Sequence, residues 1–182
     1  DLSIMLSGGV TVPAYTTYIE RDYEYIIDDC TPTVIIISDK TQYEKIKKII
    51  SKKKFIKKTI FFENIENPDE ESNLWIQDIF NRKNFYDQNF YDLKIQRKDL
   101  ACIIYTSGTQ GNPKGVMLSH GGILSNCEGA NKLLKTFISK KPKFLTWLPL
   151  SHSYEHTVQF IQIVVGAKVF YAESIDKLIK NM

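Results

Sequence analysis

Cysteine is scarce and scattered: Cys30, Cys102 and Cys127 stand far apart, with no CxxC pair to chelate a metal or form a redox centre. An odd number of separated thiols argues against a disulfide framework and fits a reduced, cytoplasmic setting. Cys102 lies in the apolar run "LACII", where a small buried thiol is expected rather than a nucleophile. Long uncharged apolar runs are missing too. The best candidate, "FIQIVVGAKVF", falls short of the roughly 18 to 20 residues a bilayer requires and contains Gln162 and Lys168, so no spanning helix is predicted. The opening "DLSIMLSGGV" has neither an initiator Met nor the basic start of a signal peptide, and the expectation is a chain that begins inside a longer protein. Charge of one sign is in small excess, a formal +3, because the lysines of residues 40 to 58 are nearly cancelled by the acidic stretch 63 to 92. The block "KKIISKKKFIKK" reads as a solvated helix face followed by a turn rather than a nucleic-acid patch, since Ile49, Ile50, Phe55 and Ile56 interrupt it at core-facing spacing.

What is present is the composition of a globular protein: 182 residues, 43% of them apolar and 25% charged. Apolar runs alternate with helical patterns. "VTVPAY" (10–15), "VIIIS" (34–38) and "TIFF" (59–62) are expected strands, separated by a helix ending near Cys30 and by a lysine-rich helix. Continuous β-branched runs such as Val34 to Ile37 suggest strands buried on both faces, as in a largely parallel sheet with helices on its faces, hence an α/β layered fold. The polar segment that starts at residue 63 and runs towards 92 is expected to be a loop, insertion or surface piece, with "LWIQDIF" (74–80) a short surface helix. A second series follows: strand "LACIIYT", then "GVMLSH", a helix over about 120 to 137, strand "KFLTWLPL", a helix from about 152 to 165, and strand "AKVFYA". Trp147, Leu148 and Leu150 are expected in the core of their strand, with a ligand wall the lesser alternative.

Glycine is otherwise sparse, yet five of the nine glycines fall between 108 and 122, directly after a predicted strand. In "YTSGTQGNPKG" they accompany the hydroxyls of Thr106, Ser107 and Thr109 and the cation of Lys114. Such a stretch can bring successive backbone N–H groups onto an oxyanion, and phosphate is the natural guest. It is not a Walker loop, because the position five after Gly108 is Pro113 and five after Gly111 is Val116. Nor is it a dinucleotide fingerprint, since Gln110 stands two after Gly108. A hairpin-like surface loop built on "GNPKG" remains the plain alternative.

"IIYTSGTQGNPKGVMLSHGGILSN" resembles the phosphate-loop signature of the adenylate-forming (AMP-binding) superfamily, with Gln110 where a Thr is usual. "GGVTVPAYTTYIERDYEYIIDDCTPTVIIISD" is similar to an earlier block of that superfamily, and "LTWLPLSHSYEH" to one found in long-chain fatty acyl-CoA synthetases. The resemblance covers about Gly8 to Tyr171 and is weakest in the acidic segment. It implies that residues 1–182 are an incomplete N-terminal domain of the adenylate-forming fold.

The activity implied is acid–thiol ligation: a carboxylic acid, for this subgroup a long-chain fatty acid, is joined to AMP from ATP with Mg²⁺, then passed to coenzyme A. Thr106, Ser107, Gly108, Thr109, Gln110, Gly111 and Lys114 are implied to hold the ATP phosphates, with Thr106 the hydroxyl nearest Mg²⁺. Gln110 keeps two amide N–H donors on a longer arm, so altered rather than abolished phosphate contact is expected. His152, with Tyr154 and Glu155, is implied near the substrate; a helix-cap or core role is the competing reading for His152, and His120 is expected to open a helix. A zinc pair of His152 and His156 lacks further ligands at suitable spacing.

The superfamily's later Thr-Glu and Thr-Gly-Asp blocks and its C-terminal-domain lysine do not occur in these residues, so no complete catalytic set is expected here. The alternatives left open are a truncated nucleotide-binding or interaction module, another acid, or a carrier-protein thiol. Small-molecule substrates are the expected partners. No anchor is encoded, and peripheral membrane association stays open.

Overall fold

The computed structural model describes residues 1–63, 65, 73–81, 93–106, 112–137, 142–172 and 177–178. In chain order its elements are α1 (Leu2–Leu6), α2 (Glu20–Cys30), β1 (Val34–Ile37), α3 (Lys40–Ile50), β2 (Lys58–Phe61), β3 (Asn73–Trp75), α4 (Ile76–Asn81), β4 (Leu100–Thr106), β5 (Lys114–Ser119), α5 (His120–Leu134), β6 (Lys143–Thr146), α6 (Ser153–Val164) and β7 (Lys168–Tyr171). They form two compact units, one of Thr16–Tyr91 and one of Asp1–Tyr15 with Asp92–Met182.

In the Thr16–Tyr91 unit, β1, β2 and β3 make a parallel sheet in which Ile37 lies beside Phe61 and Phe61 beside Trp75. The α2 helix starts where the Asp22 carboxylate accepts from the Ile19 N–H at 3.2 Å, and it stops at Thr31, whose φ of 42° is left-handed, just before Pro32. Asp39 caps α3 by accepting from the Gln42 N–H at 2.9 Å. Spacing then decides what each helix buries: Tyr23 and Ile27 from α2 and Ile46 and Ile49 from α3 meet Ile37 and Phe61 in one core. Tyr43 and Trp75 rings lie 5.3 and 5.4 Å from that of Phe61. Phe55 and Ile56 of the lysine block pack against this core, while Lys47 pairs with Glu44 and Lys53 with Asp28, as a solvated face requires.

Three expectations need correction in this unit and at the chain's start. Burial of β1 on both faces does not hold: Val34 and Ile36 are each 43% exposed while Ile37 is 2% exposed, because α2 and α3 cover one face only. Leu74 and Trp75, read as the start of a helix, are with Asn73 strand β3, and only Ile76–Asn81 is helical. The parallel neighbour β2 supplies backbone partners that no local propensity could announce. Residues 10–15 make no strand; Thr11 alone bridges Cys102, and Pro13 lacks the N–H that would extend the ladder.

In the other unit β4 and β5 pair antiparallel and β6 and β7 pair parallel. The fully buried Ala101, Cys102 and Ile104 of β4 share a core with Met5 of α1, on which Leu118, Ile123 and Phe160 pack, so α5 and α6 are anchored beside β4. The strand expected over 143–150 ends at Thr146, and Trp147 and Leu150 are 44% and 38% exposed rather than core. A turn follows, in which the His152 N–H donates to the Pro149 carbonyl at 2.9 Å and leads the chain into α6. The sheets are thus layered with helices as expected, with the β4–β5 hairpin the antiparallel exception.

Candidate functional site

The β4–β5 hairpin positions the phosphate-loop residues. Tyr105 ends the buried part of β4, and Thr106, one residue on, is exposed. The last cross-strand pair is Thr106 with Lys114. Directly opposed residues of an antiparallel pair project from the same face with Cβ atoms about 5 Å apart. An exposed hydroxyl and an exposed ammonium therefore stand side by side at the loop end of the hairpin. Between them Ser107, Gly108, Thr109, Gln110 and Gly111 lie outside the described residues.

One pair behind, Gly115 faces Tyr105. A Cβ at Gly115 would come within 2.9 Å of Ile103 Cγ2 and 3.2 Å of Tyr105 Cζ, so glycine allows the Tyr105 ring to lie across β5 and fix the hairpin's end. Behind the strand, burial pushes the Cys102 thiol up to about 11, a protonated, inert packing group as the sequence predicts.

The start of α5 is tied to the segment before β4. Ser119 caps the helix by accepting from the Gly122 N–H at 3.1 Å, and His120 is its first residue, as expected. The Gly121 N–H donates to the Arg97 carbonyl at 2.6 Å and the His120 N–H to that of Asp99 at 3.0 Å. Arg97 in turn donates to Ser125 and Glu128, each at 3.2 Å. Sequence reading passed over Arg97; its only signal was a cation just before a buried strand.

The substrate-side candidates cluster on one turn at the start of α6. His152 is the N-cap, its Nδ1 accepting from the Tyr154 N–H at 3.3 Å. That hydrogen bond leaves the proton of a neutral ring on Nε2. Tyr154 is 65% exposed and Glu155 is buried, its Oε1 without a partner among the described residues. Farther along the same helix, the Gln162 amide donates to Thr146 Oγ1 at 3.0 Å, joining α6 to β6 below the turn.

His156 is fully buried, its Nε2 2.7 Å from an Asp1 carboxylate oxygen but not aligned for a hydrogen bond. Burial holds its imidazole below the ordinary 6.5. The unfolded chain therefore binds this proton more readily, and stability is lost as pH falls through 6.5 towards the lower native value. The denaturation midpoint is expected to fall between about pH 7 and about pH 5, and His156→Gln to flatten that slope in urea titrations.

Residues 1–182, the whole chain, match the family described as AMP-binding enzyme. The chain belongs to that family. Among AMP-binding proteins it is similar to long chain acyl-CoA synthetase 4 of Arabidopsis thaliana, 29% identical over 96% of this chain and 28% of the relative. In fold it is similar to a red-emitting luciferase of Phrixothrix hirtus, TM-score 0.76 at 19% identity, over 96% of this chain and 33% of that one. It is also similar to ATP-bound MatB of Rhodopseudomonas palustris, TM-score 0.70 at 23% identity, over 98% and 33%. The chain thus spans about a third or less of each of these three proteins, and the structural likenesses establish the partial domain fold. Among the described residues, no helix is long and apolar enough to cross a membrane.

Proposed function

We propose that the whole protein activates a long-chain fatty acid with ATP to the acyl-adenylate and then transfers the acyl group to coenzyme A, with residues 1–182 supplying the phosphate grip and one wall of the acid site. The observation that carries this reading is the pairing of Thr106 with Lys114 at the mouth of the hairpin in a chain of the AMP-binding family. In the first step a carboxylate oxygen attacks the α-phosphorus and its bond to pyrophosphate breaks. In the second the thiolate attacks the acyl carbon and AMP leaves.

Negative charge collects on the phosphates as that bond breaks, and donors already in position stabilise it with little reorganisation. The exposed Thr106 hydroxyl and Lys114 ammonium suit such a partner by donor chemistry, and the glycines and hydroxyls of 107–111 would complete the grip. Magnesium, bound with the nucleotide, supplies further charge neutralisation, and Thr106 is the hydroxyl of this chain that would ligate it. His152 keeps Nδ1 on its cap bond, so Nε2–H is the group that would donate to the acid's carboxylate. Tyr154 offers its hydroxyl from the exposed side of the same turn, and buried Glu155, its Oε1 unpartnered among the described residues, is the third substrate-side group. The separated cysteines fit a cytoplasmic location.

The test is pyrophosphate release by the whole protein across a panel of acids, with coenzyme A and a carrier-protein thiol as acceptors. Release with long-chain acids and acyl-CoA formation support the proposal. Nucleotide binding with no release under any acid would replace it with a non-catalytic module. Gln110→Thr is expected to tighten ATP binding a few-fold, one added hydroxyl contact being worth about 0.5–1.5 kcal/mol. Unchanged affinity in calorimetry would show the position to be incidental.

A further inference from the structure

Asp1 occupies the N-cap of α1, yet its side chain makes no cap bond to that helix. Its carboxylate instead accepts from the Thr11 hydroxyl and lies 2.7 Å from Nε2 of His156. Thr11 and His156 are buried and the Asp1 side chain is only 18% exposed, so the three make an interior polar trio rather than a surface contact. The two neighbours of Asp1 belong to different parts of the candidate site. The Thr11 N–H donates to the Ala101 carbonyl at 3.1 Å and the Thr11 carbonyl accepts from the Ile103 N–H at 3.0 Å, which fastens Thr11 to β4, the strand that ends at Thr106. The His156 N–H donates to the His152 carbonyl at 2.9 Å, within the first turn of α6.

We propose that Asp1 is a positioning residue: by joining Thr11 to His156, its carboxylate sets the turn of α6 that carries His152 against the hairpin that carries Thr106 and Lys114. This deepens the function proposed above and rests on it. In the first step of that reaction an acid oxygen must meet the α-phosphorus in line, and a displacement of about 1 Å can cost about 100-fold in rate. Phe160 of α6 packs on the β4 core and its ring lies 5.2 Å from that of His156, but apolar attraction has no direction and does not fix where along β4 the helix begins. Polar contacts have direction. Replacing buried polar partners together by apolar groups of similar shape is often nearly neutral for stability, so folding alone does not call for this trio.

Steady-state pyrophosphate release by the whole protein, with ATP and a long-chain acid varied in turn, tests the proposal beside urea titrations of the same variants. D1L/T11V/H156L replaces all three polar side chains by apolar ones of similar size. Its kcat is expected to fall about 10- to 100-fold, with the KM for ATP within about twofold of the parent and the urea midpoint near the parent's. Asp1→Leu alone should lower kcat in the same direction, and Asp1→Asn, which keeps polar atoms facing Thr11 and His156, should recover most of the rate. A triple variant with the parent's kcat would overturn the proposal, as would a loss of rate that only follows the loss of folded protein, which would make the trio a stabilising contact. Should the triple variant not fold, equal rates for Asp1→Leu and Asp1→Asn would overturn it too. A parent protein that releases no pyrophosphate with any acid would refute the proposed function and this role with it, whereas an active parent with unaffected variants would refute the role alone.

Discussion

Lys114→Ala in the whole protein is expected to lower acid-dependent pyrophosphate release by roughly 100-fold, the loss typical when one preorganised donor to developing negative charge is removed. Lys114 is exposed, opposes Thr106 at the hairpin mouth and sits on a strand whose register is held by successive pairs back to Leu118. Removing it takes away a cation without opening the core, so melting should move by less than about 0.5 kcal/mol equivalent. Lys114→Arg should retain part of the activity, because charge survives while the compact ammonium is replaced by a planar fork. The check is steady-state kinetics with ATP varied. A rate within two- or three-fold of the parent would remove Lys114 from the grip, whatever the protein's substrate proves to be.

Gly121→Ala is the largest stability effect expected from a single methyl group. An added Cβ would lie 2.7 Å from the Arg97 carbonyl oxygen and 3.0 Å from its Cβ, and the nearest atom is backbone held by the Gly121 N–H itself. Neither side can rotate away. The segment before β4 must separate from the start of α5, weakening the Arg97 contacts to Ser125 and Glu128 as well. Overpacking of this kind costs about 1–3 kcal/mol, and a melting temperature lower by about 5 °C is expected for a chain of this size. Gly122→Ala is the control: its Cβ would meet only Ser119 Oγ at an ordinary 3.5 Å, and alanine is the better helix former. Equal destabilisation by both would mean that helix-start flexibility, not contact with Arg97, is what the glycine supplies.

Gly121 also shows where local reading stops. The cluster of glycines between 108 and 122 reads as a candidate phosphate loop from its glycines and hydroxyls, but nothing in its spacing separates Gly121, required by a chain segment more than twenty residues earlier, from Gly122, which is not. His152 carries the same lesson. Both a substrate role and a helix-cap role could be read from "LPLSH"; the structure adds the cap bond to the Tyr154 N–H, and the remaining Nε2 is what makes the substrate role compatible with it. Trp147 and Leu150 read as core by composition, yet the strand ends before them and they are exposed.

The amino-acid sequence by itself determined the alternation of helices and strands, the buried thiol at Cys102, and the family, because those depend on periodicity and on motifs contained in short contiguous stretches. The tertiary structure alone decided that β4 and β5 run antiparallel, so that Thr106 faces Lys114, and that β1 buries one face rather than both. It also decided that Asn73–Trp75 is a strand and that His156 lies beside Asp1. The reason is the same in each case. Pairing direction and burial are set by what distant segments place beside a residue, and a hydrophobic or charged side chain carries no local mark of which neighbours it will meet.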